Sequence, residues 1–342
     1  MTTVTQIRNQ QSQSVTVQDV INKAQAWETE HAPFDRGSKL NLFQFVINEG
    51  TGGALVPFSN ALEATGPRFM PNSINLSAHA LDQLMARVDY PKKLYPRLAG
   101  KLNIYNLNWL IQQQGATPVT LRIQDGNLAR AVLGGSYAPF DDLEFLQMVA
   151  PYLPSNAKVR WEFKDDLTTH LSISFPNTAT ELVVGDVVEA GIHLSNSEVG
   201  IRSVTVAGYV FRLRCSNGQV GSGDGDMFRF RHTGDHDRMG DSIRSSIEST
   251  MLESQKVIQL FKKAMQTEID KPFDFMEKVA KEGDMSQEMF KSVMEGMMNE
   301  DYAGTLMNVS MGCSRASQSY SGEESYELQR LSTKVLSLPV GA

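Results

Sequence analysis

Residues 118–133 read PVTLRIQDGNLARAVL, two apolar-rich runs separated by Asp125-Gly126. A two-residue hairpin loop of type I′ needs positive φ at both central positions, and Asp-Gly is among the pairs that tolerate it. The stretch therefore predicts an antiparallel hairpin. The format returns downstream in AKVRWEFKDDLTTHLSISF (157–175), around Asp165-Asp166. DVVEAGIHLSNSEVG (186–200) and VTVAGYVFRLRC (204–215) supply two or three more strands, while DDLEFLQMVAPYL (141–153), between the first two hairpins, reads as a helix. Working backwards, NLFQFVIN (41–48) is a strand candidate followed by a turn-rich break at Gly50–Gly53. SAHALDQLMARV (77–88) places Leu81, Leu84, Met85 and Val88 on one helical face. Further helices are expected at Val17–Trp27, capped by Thr16, and around Ile104–Gln113.

Towards the C-terminus the period changes to that of a helix. From Met239 onward, Ile243, Ile247, Met251, Ile258, Phe261 and Met265 form one long stripe that Pro272 is expected to end. Asp284 with Gln287 resembles a capping box for a following helix, and a last helix is expected near Glu323–Leu336. The fold class is α+β: antiparallel β-hairpins forming a twisted sheet in the middle of the chain, backed by helices, with a mostly helical C-terminal region. The expected organisation is a flexible tail over 1–16, an α+β core over 17–238 and a helical region over 239–342 that serves assembly.

Composition sets outer limits. Of 342 residues, 41% are hydrophobic and 21% charged, as in ordinary globular proteins, and the net charge of −7 excludes a uniformly basic surface while leaving room for a local one. No run of about 18 apolar residues occurs, so no membrane span is expected. The polar N-terminus and only two cysteines, Cys215 and Cys313, point to a reducing, cytoplasmic setting. The 16 methionines, dense between 285 and 311, suit adaptable packing or contacts between subunits.

Three stretches bear chemistry. FRFRHTGDHDR (228–238) brings His232 and His236 four residues apart beside Asp235, imidazoles and a carboxylate of the kind borderline metals take. Gly234 breaks the helical spacing, however, and the reading preferred is a strand-to-helix junction whose acids favour a helix start; no metal and no other cofactor is expected. Second, Arg212 with Arg214, and Arg229 with Arg231, are each two residues apart on expected strands, so each pair shares one face. Arg122, Arg130, Lys158 and Arg160 occupy comparable places in the hairpins. Guanidinium groups on a sheet face suit phosphate contacts, with solvated amphipathic strands as the plain alternative. Third, SNSEVG (195–200) and CSNGQV (215–220) are turn chemistry; Glu198, a carboxylate in an otherwise neutral loop, needs a partner that an arginine of a neighbouring strand would supply. No Walker loop, dinucleotide fingerprint, zinc knuckle or nucleophile elbow is present, and no catalytic residue is assigned.

LSAHALDQLMARVDYPKKLYPRL (76–98), LARAVLGGSYAPFDDLEFL (128–146) and AGIHLSNSEVGIRSVTVAGYVFRLRCSNGQV (190–220) together resemble one family, the phage- and plasmid-associated domain of unknown function 932. The resemblance spans about residues 75–240 and departs from the family at GGSY (134–137). It implies a phage, prophage or plasmid source and a bacterial host cytoplasm, and it marks Arg130, Tyr137, Asn196, Glu198, Arg212, Cys215, Asn217 and Gly218. The functional expectation is a protein of DNA metabolism that binds single-stranded nucleic acid, as in annealing, and forms a homo-oligomer. Acidic net charge and the lack of a dense basic run weigh against it. The alternatives are a phage structural or anti-defence protein acting by protein contacts, and a metal-dependent enzyme centred on His232 and His236.

Overall fold

The computed structural model describes residues 5–8, 15–58, 71–213, 217–220, 227–233 and 236–339. Two sheets divide the chain. The first to form in sequence has six strands: β2 (Phe34–Lys39), β3 (Phe43–Val46), β4 (Ala54–Pro57), β5 (Ile74–Leu76), β6 (Pro118–Gln124) and β7 (Leu128–Gly134), in the order β2-β6-β7-β5-β4-β3. Among the described residues of this sheet only β5 and β7 run parallel. The β6–β7 turn is as the sequence predicts: Asp125 sits at φ 51° and Gly126 at φ 80°. Two helices, α2 (Ala78–Arg87) and α3 (Gly100–Gln113), cover one face of this sheet. Ser77 caps α2, and Leu81, Leu84, Met85 and Val88 are buried with Leu107 and Ile111 of α3 against strand residues such as Phe43, Leu121 and Val132. Asn108 of α3 accepts from the Phe45 N–H at 2.7 Å and donates to the Phe45 carbonyl at 2.9 Å, on the outermost strand β3.

The second sheet has eight strands. Its backbone is β1 (Thr5–Arg8), β8 (Lys158–Lys164), β9 (Thr169–Ser174), β11 (Asp186–Asn196), β12 (Val204–Arg212) and β13 (Asn217–Val220); β10 (Thr180–Val183) pairs with β11, and β14 (Met227–Phe230) with β12. Every pairing is antiparallel. Thr5–Arg8, read from sequence as tail, is thus an edge strand, with Arg8 opposite Trp161. Asp165 shapes the β8–β9 turn by accepting from the N–H groups of Leu167 and Thr168.

β11 and β12 are buried on both faces, so their burial does not alternate. One face packs on α1 (Val17–His31), α4 (Asp142–Val149) and α5 (His236–Gln266), through Val20, Ile21, Phe145, Ile192, Val206, Ile243 and Ile247. Further along, Val188, Ala190 and Val210 join a core with the C-terminal helices α6 (Pro272–Glu282), α7 (Gln287–Met298), α8 (Leu306–Ala316) and α9 (Gly322–Val335). The other face holds Trp161, Phe163, Tyr209 and Phe211 against Tyr326 of α9. The Thr16 cap on α1 is a reciprocal capping box with Asp19. Three boundaries differ from the sequence reading. The long helix starts at His236 rather than Met239 and stops at Gln266; Pro272 opens α6 at a position where its missing N–H costs nothing. The cap of α7 is Ser286, which accepts from the Met289 N–H, and not Asp284.

Candidate functional site

The motif Asn196-Ser197-Glu198-Val199 lies where the two sheets meet, and each residue holds the seam. Asn196 donates to the Phe140 carbonyl (2.8 Å) and to Asp142 (2.9 Å). Ser197 donates to the Leu167 carbonyl, and its own carbonyl accepts from Tyr137. The Val199 carbonyl faces Gln83 and His79 of α2, while its side chain packs on Ala131 and Leu133 of β7. Glu198 is the charged centre. Its Oε2 receives Arg130 Nη1 at 2.5 Å and lies 3.5 Å from Arg122 Nη2; its Oε1 accepts from the Asp142 N–H at 2.9 Å. Burial alone would raise this carboxyl, but Arg130, Arg122 and Lys164 outweigh it and hold it well below the usual carboxylate range.

Arg122 gathers more acids around the same point: Asp35, directly across the β2–β6 pairing, at 2.9 Å, and Asp141 at the start of α4. Lys164 pairs with Asp142 at 2.8 Å. Glu28 of α1 is pushed up to about 7, first by burial and then by Asp141 and Glu198. Beside this cluster opens a cleft of about 550 Å³, lined by Trp27, Ser77, His79, Asp125, Arg130 and Lys164 among others. The faces of Trp27 are already engaged, with His31 stacked at 4.7 Å and Arg130 and Lys164 at 5.0 and 4.7 Å.

The arginines expected on a nucleic-acid face have other occupations. Arg130 belongs to the seam. Arg160 pairs with Glu189 at 2.7 Å and lies 4.3 Å over the Phe211 ring. Arg212 makes a bidentate pair with Asp186 (2.6 and 2.9 Å) and reaches Glu300 at 3.2 Å, tying β12 to the loop between α7 and α8. All three are largely buried, and a guanidinium held by buried carboxylates is not offered to a phosphate backbone. The arginine-bearing strands also divide between faces: Arg229 pairs with Thr205, which shares parity with Tyr209 and Phe211, whereas Arg212 points to the opposite side. Lys158, Arg229 and Arg231 are exposed, and Arg214 lies outside the described residues.

Of the other marked positions, Tyr137 stacks on His232 at 4.9 Å with ring planes 15° apart. His232 is buried there, packed against an aromatic ring in place of the open ligand position a metal would need. Among the described residues no group of three or more His, Cys, Asp or Glu is placed to hold a metal ion. Asp235 and the side chain of His236 lie outside the described residues, as do Cys215 and the side chain of Asn217. Gly218 lies directly under the Tyr209 ring; a Cβ there would come within 2.2 Å of the Tyr209 hydroxyl oxygen.

The surface that sequence reasoning missed is the outer face of α3. Tyr105 is 70% exposed, Trp109 56% and Leu102 51%, and all three project from one side of the helix. Lys93, Arg97 and Lys101 are exposed just before and at the start of the same helix. From Tyr90 to Gln124 the chain has five Lys and Arg residues and no Asp or Glu. The signal is thus an absence of acids rather than a dense basic run.

Residues 145–301 match a protein family described as Domain of unknown function (DUF932), a span that includes Asn196, Glu198, Arg212 and Gly218 but begins after Arg130 and Tyr137. No curated protein and no solved structure matches the chain. By that match residues 145–301 belong to the DUF932 domain family.

Proposed function

We propose that the protein binds single-stranded nucleic acid, and that the contact surface is the outer face of α3 rather than the arginine-bearing sheet. The observation that carries this is the exposure of Tyr105 and Trp109 one helical turn apart inside a stretch of 35 residues with no acidic side chain, in a protein of net charge −7. Aromatic rings stack on bases without regard to sequence, each worth about 1–3 kcal/mol, while nearby cations neutralise phosphates. Four exposed cations, Lys92, Lys93, Arg97 and Lys101, flank the pair, although Lys92 also contacts Asp82. A role in annealing or strand handling for a phage or plasmid, in a bacterial cytoplasm and as a homo-oligomer, fits this reading.

The test is fluorescence anisotropy with a labelled oligothymidylate at increasing salt. Binding should weaken steeply with salt, and Tyr105→Ala and Trp109→Ala should each reduce affinity by about tenfold or more. Absence of binding at low salt, or unchanged affinity in the double variant, would overturn the proposal. A second reading has its own observation: Leu102 is exposed on the same face and Ile47, exposed as well, lies beside Gly100 at the start of α3, which suits a protein partner. Loss of a defined protein complex in the double variant, with no nucleic-acid binding in the parent, would favour it.

A further inference from the structure

The sheet face opposite α5 carries a buried hydrogen-bonded chain that ends on the C-terminal helix. Ser172 Oγ lies 2.9 Å from His193 Nδ1, His193 Nε2 lies 3.2 Å from His170 Nδ1, and His170 Nε2 lies 3.3 Å from Glu323 Oε1 in the first turn of α9. Ser172 and both imidazoles are fully buried. The two rings sit between Trp161 of β8, at 5.7 and 5.9 Å, and Tyr326 of α9, at 4.9 and 4.7 Å. A neutral imidazole has one donor and one acceptor nitrogen. The chain therefore closes with both rings neutral, running from Ser172 towards Glu323, or in reverse when Arg202 donates to His170 Nε2 at 3.2 Å.

The charged and titratable surroundings disfavour an added proton. Arg202, from the segment between β11 and β12, reaches both His170 and Glu323; Arg330 of α9 acts on His193. Against these cations stand Glu323 and, from the β8–β9 turn, Asp165. Among the described residues Tyr326 is a further titratable neighbour, in contact with both rings, and the sheet contributes Ser172, Ser195 and Trp161. Among the described residues the Ser195 hydroxyl and the Trp161 indole N–H are buried without a hydrogen-bond partner, so α9 rests on a polar seam rather than a dry apolar one.

We infer that the His170–His193 pair is an acid-sensitive latch that docks α9 on the sheet while both rings are neutral and releases it when they take up protons. Burial is the main cause that holds both imidazoles below their ordinary value of 6.5, His193 well below, with Arg202 adding to it at both rings. Depressed imidazole values mean that the docked state excludes protons which the open state accepts. The latch is therefore closed above about pH 6.5 and loosens as the pH falls below it, by up to about tenfold in opening constant per pH unit for each proton taken up. Opening uncovers the Trp161–Tyr209–Phe211 face. The inference stands independently of nucleic-acid binding.

Hydrogen exchange followed by mass spectrometry on the full chain tests it, at about pH 7.5 and about pH 5.5 with correction for intrinsic exchange. Segment 322–335 should lose at least tenfold more protection on acidification than the 118–134 hairpin, which has no histidine. His193→Gln should shrink that difference. An equal response of the two segments in the parent protein, or an undiminished response in His193→Gln, would overturn the latch. Should the variant fail to fold, imidazole ¹⁵N shifts of the parent decide: His170 and His193 should stay neutral at pH 6.5 and titrate only together with the exchange of α9, and a separate, ordinary titration would sink the idea.

Discussion

Arg130 of β7 and Glu198 of the loop after β11 form a 2.5 Å ion pair between the two sheets, with both side chains more than nine-tenths buried. Arg122 and Lys164 share the same carboxylate field, so Glu198 neutralises more than one cation. Glu198→Gln keeps the size of the side chain and strands buried positive charge. The expected loss is about 3–5 kcal/mol of folding stability, read from the midpoint of denaturant unfolding at neutral pH. A shift below about 1 kcal/mol would show that the seam does not depend on this charge.

Arg212 and Arg229 should separate cleanly. Arg212→Ala leaves Asp186 buried without its bidentate cation, while Glu300 keeps Arg315 at 2.8 Å, and should cost about 3–5 kcal/mol. Arg229→Ala, at an exposed site, should stay within about 0.5 kcal/mol. Thermal unfolding of the two variants side by side checks the contrast, and comparable losses would contradict the opposite-face placement.

Two glycines should fail for different reasons. At Gly126 nothing lies within 4 Å of an added Cβ, so Gly126→Ala should cost only its positive φ, about 1 kcal/mol. At Gly218 the added methyl would displace the Tyr209 ring from its packed position, and the loss should be larger, about 2–3 kcal/mol. Denaturant midpoints rank the two.

Glu28 gives the protein a sensitivity on the neutral side. Its folded value of about 7 lies above the ordinary 4.5, so the folded state binds a proton that the unfolded chain has released. Its contribution is complete below about pH 4.5 and is lost as pH rises through about 7. Glu28→Gln should therefore match the parent near pH 5 and exceed it in melting temperature near pH 8. A constant difference across that range would rule out titration of Glu28 as the cause.

Local chemistry was legible in the sequence wherever one residue pair decides the backbone. Asp125-Gly126 specifies its turn, Thr16 and Ser77 specify helix starts, and the Leu81-Leu84-Met85-Val88 stripe finds its core. The need of Glu198 for an arginine was legible too, because an isolated carboxylate in a sheet loop is costly. What alternation does not carry is the identity of the layer on each side. FRLR and FRFR look alike, yet β12 is central and covered on both faces, so Arg212 is buried with its own acids while Arg229 reaches solvent. Thr5–Arg8 was illegible for a related reason: polar edge strands owe their shape to the partner strand, here β8. The α3 surface was illegible because the exposure of Tyr105 and Trp109 depends on which face of the helix the sheet covers, here the one bearing Leu107 and Ile111.

Asn108 has a consequence for how copies of this chain can meet. An outermost strand is an open template on which another strand can add, and repeated addition builds fibres. By filling both the donor and the acceptor of Phe45 with one side-chain amide, Asn108 works as a chain terminator on β3. Any assembly by strand exchange is thereby steered away from that rim. Replacing this single amide with leucine would leave both backbone groups of Phe45 without that partner.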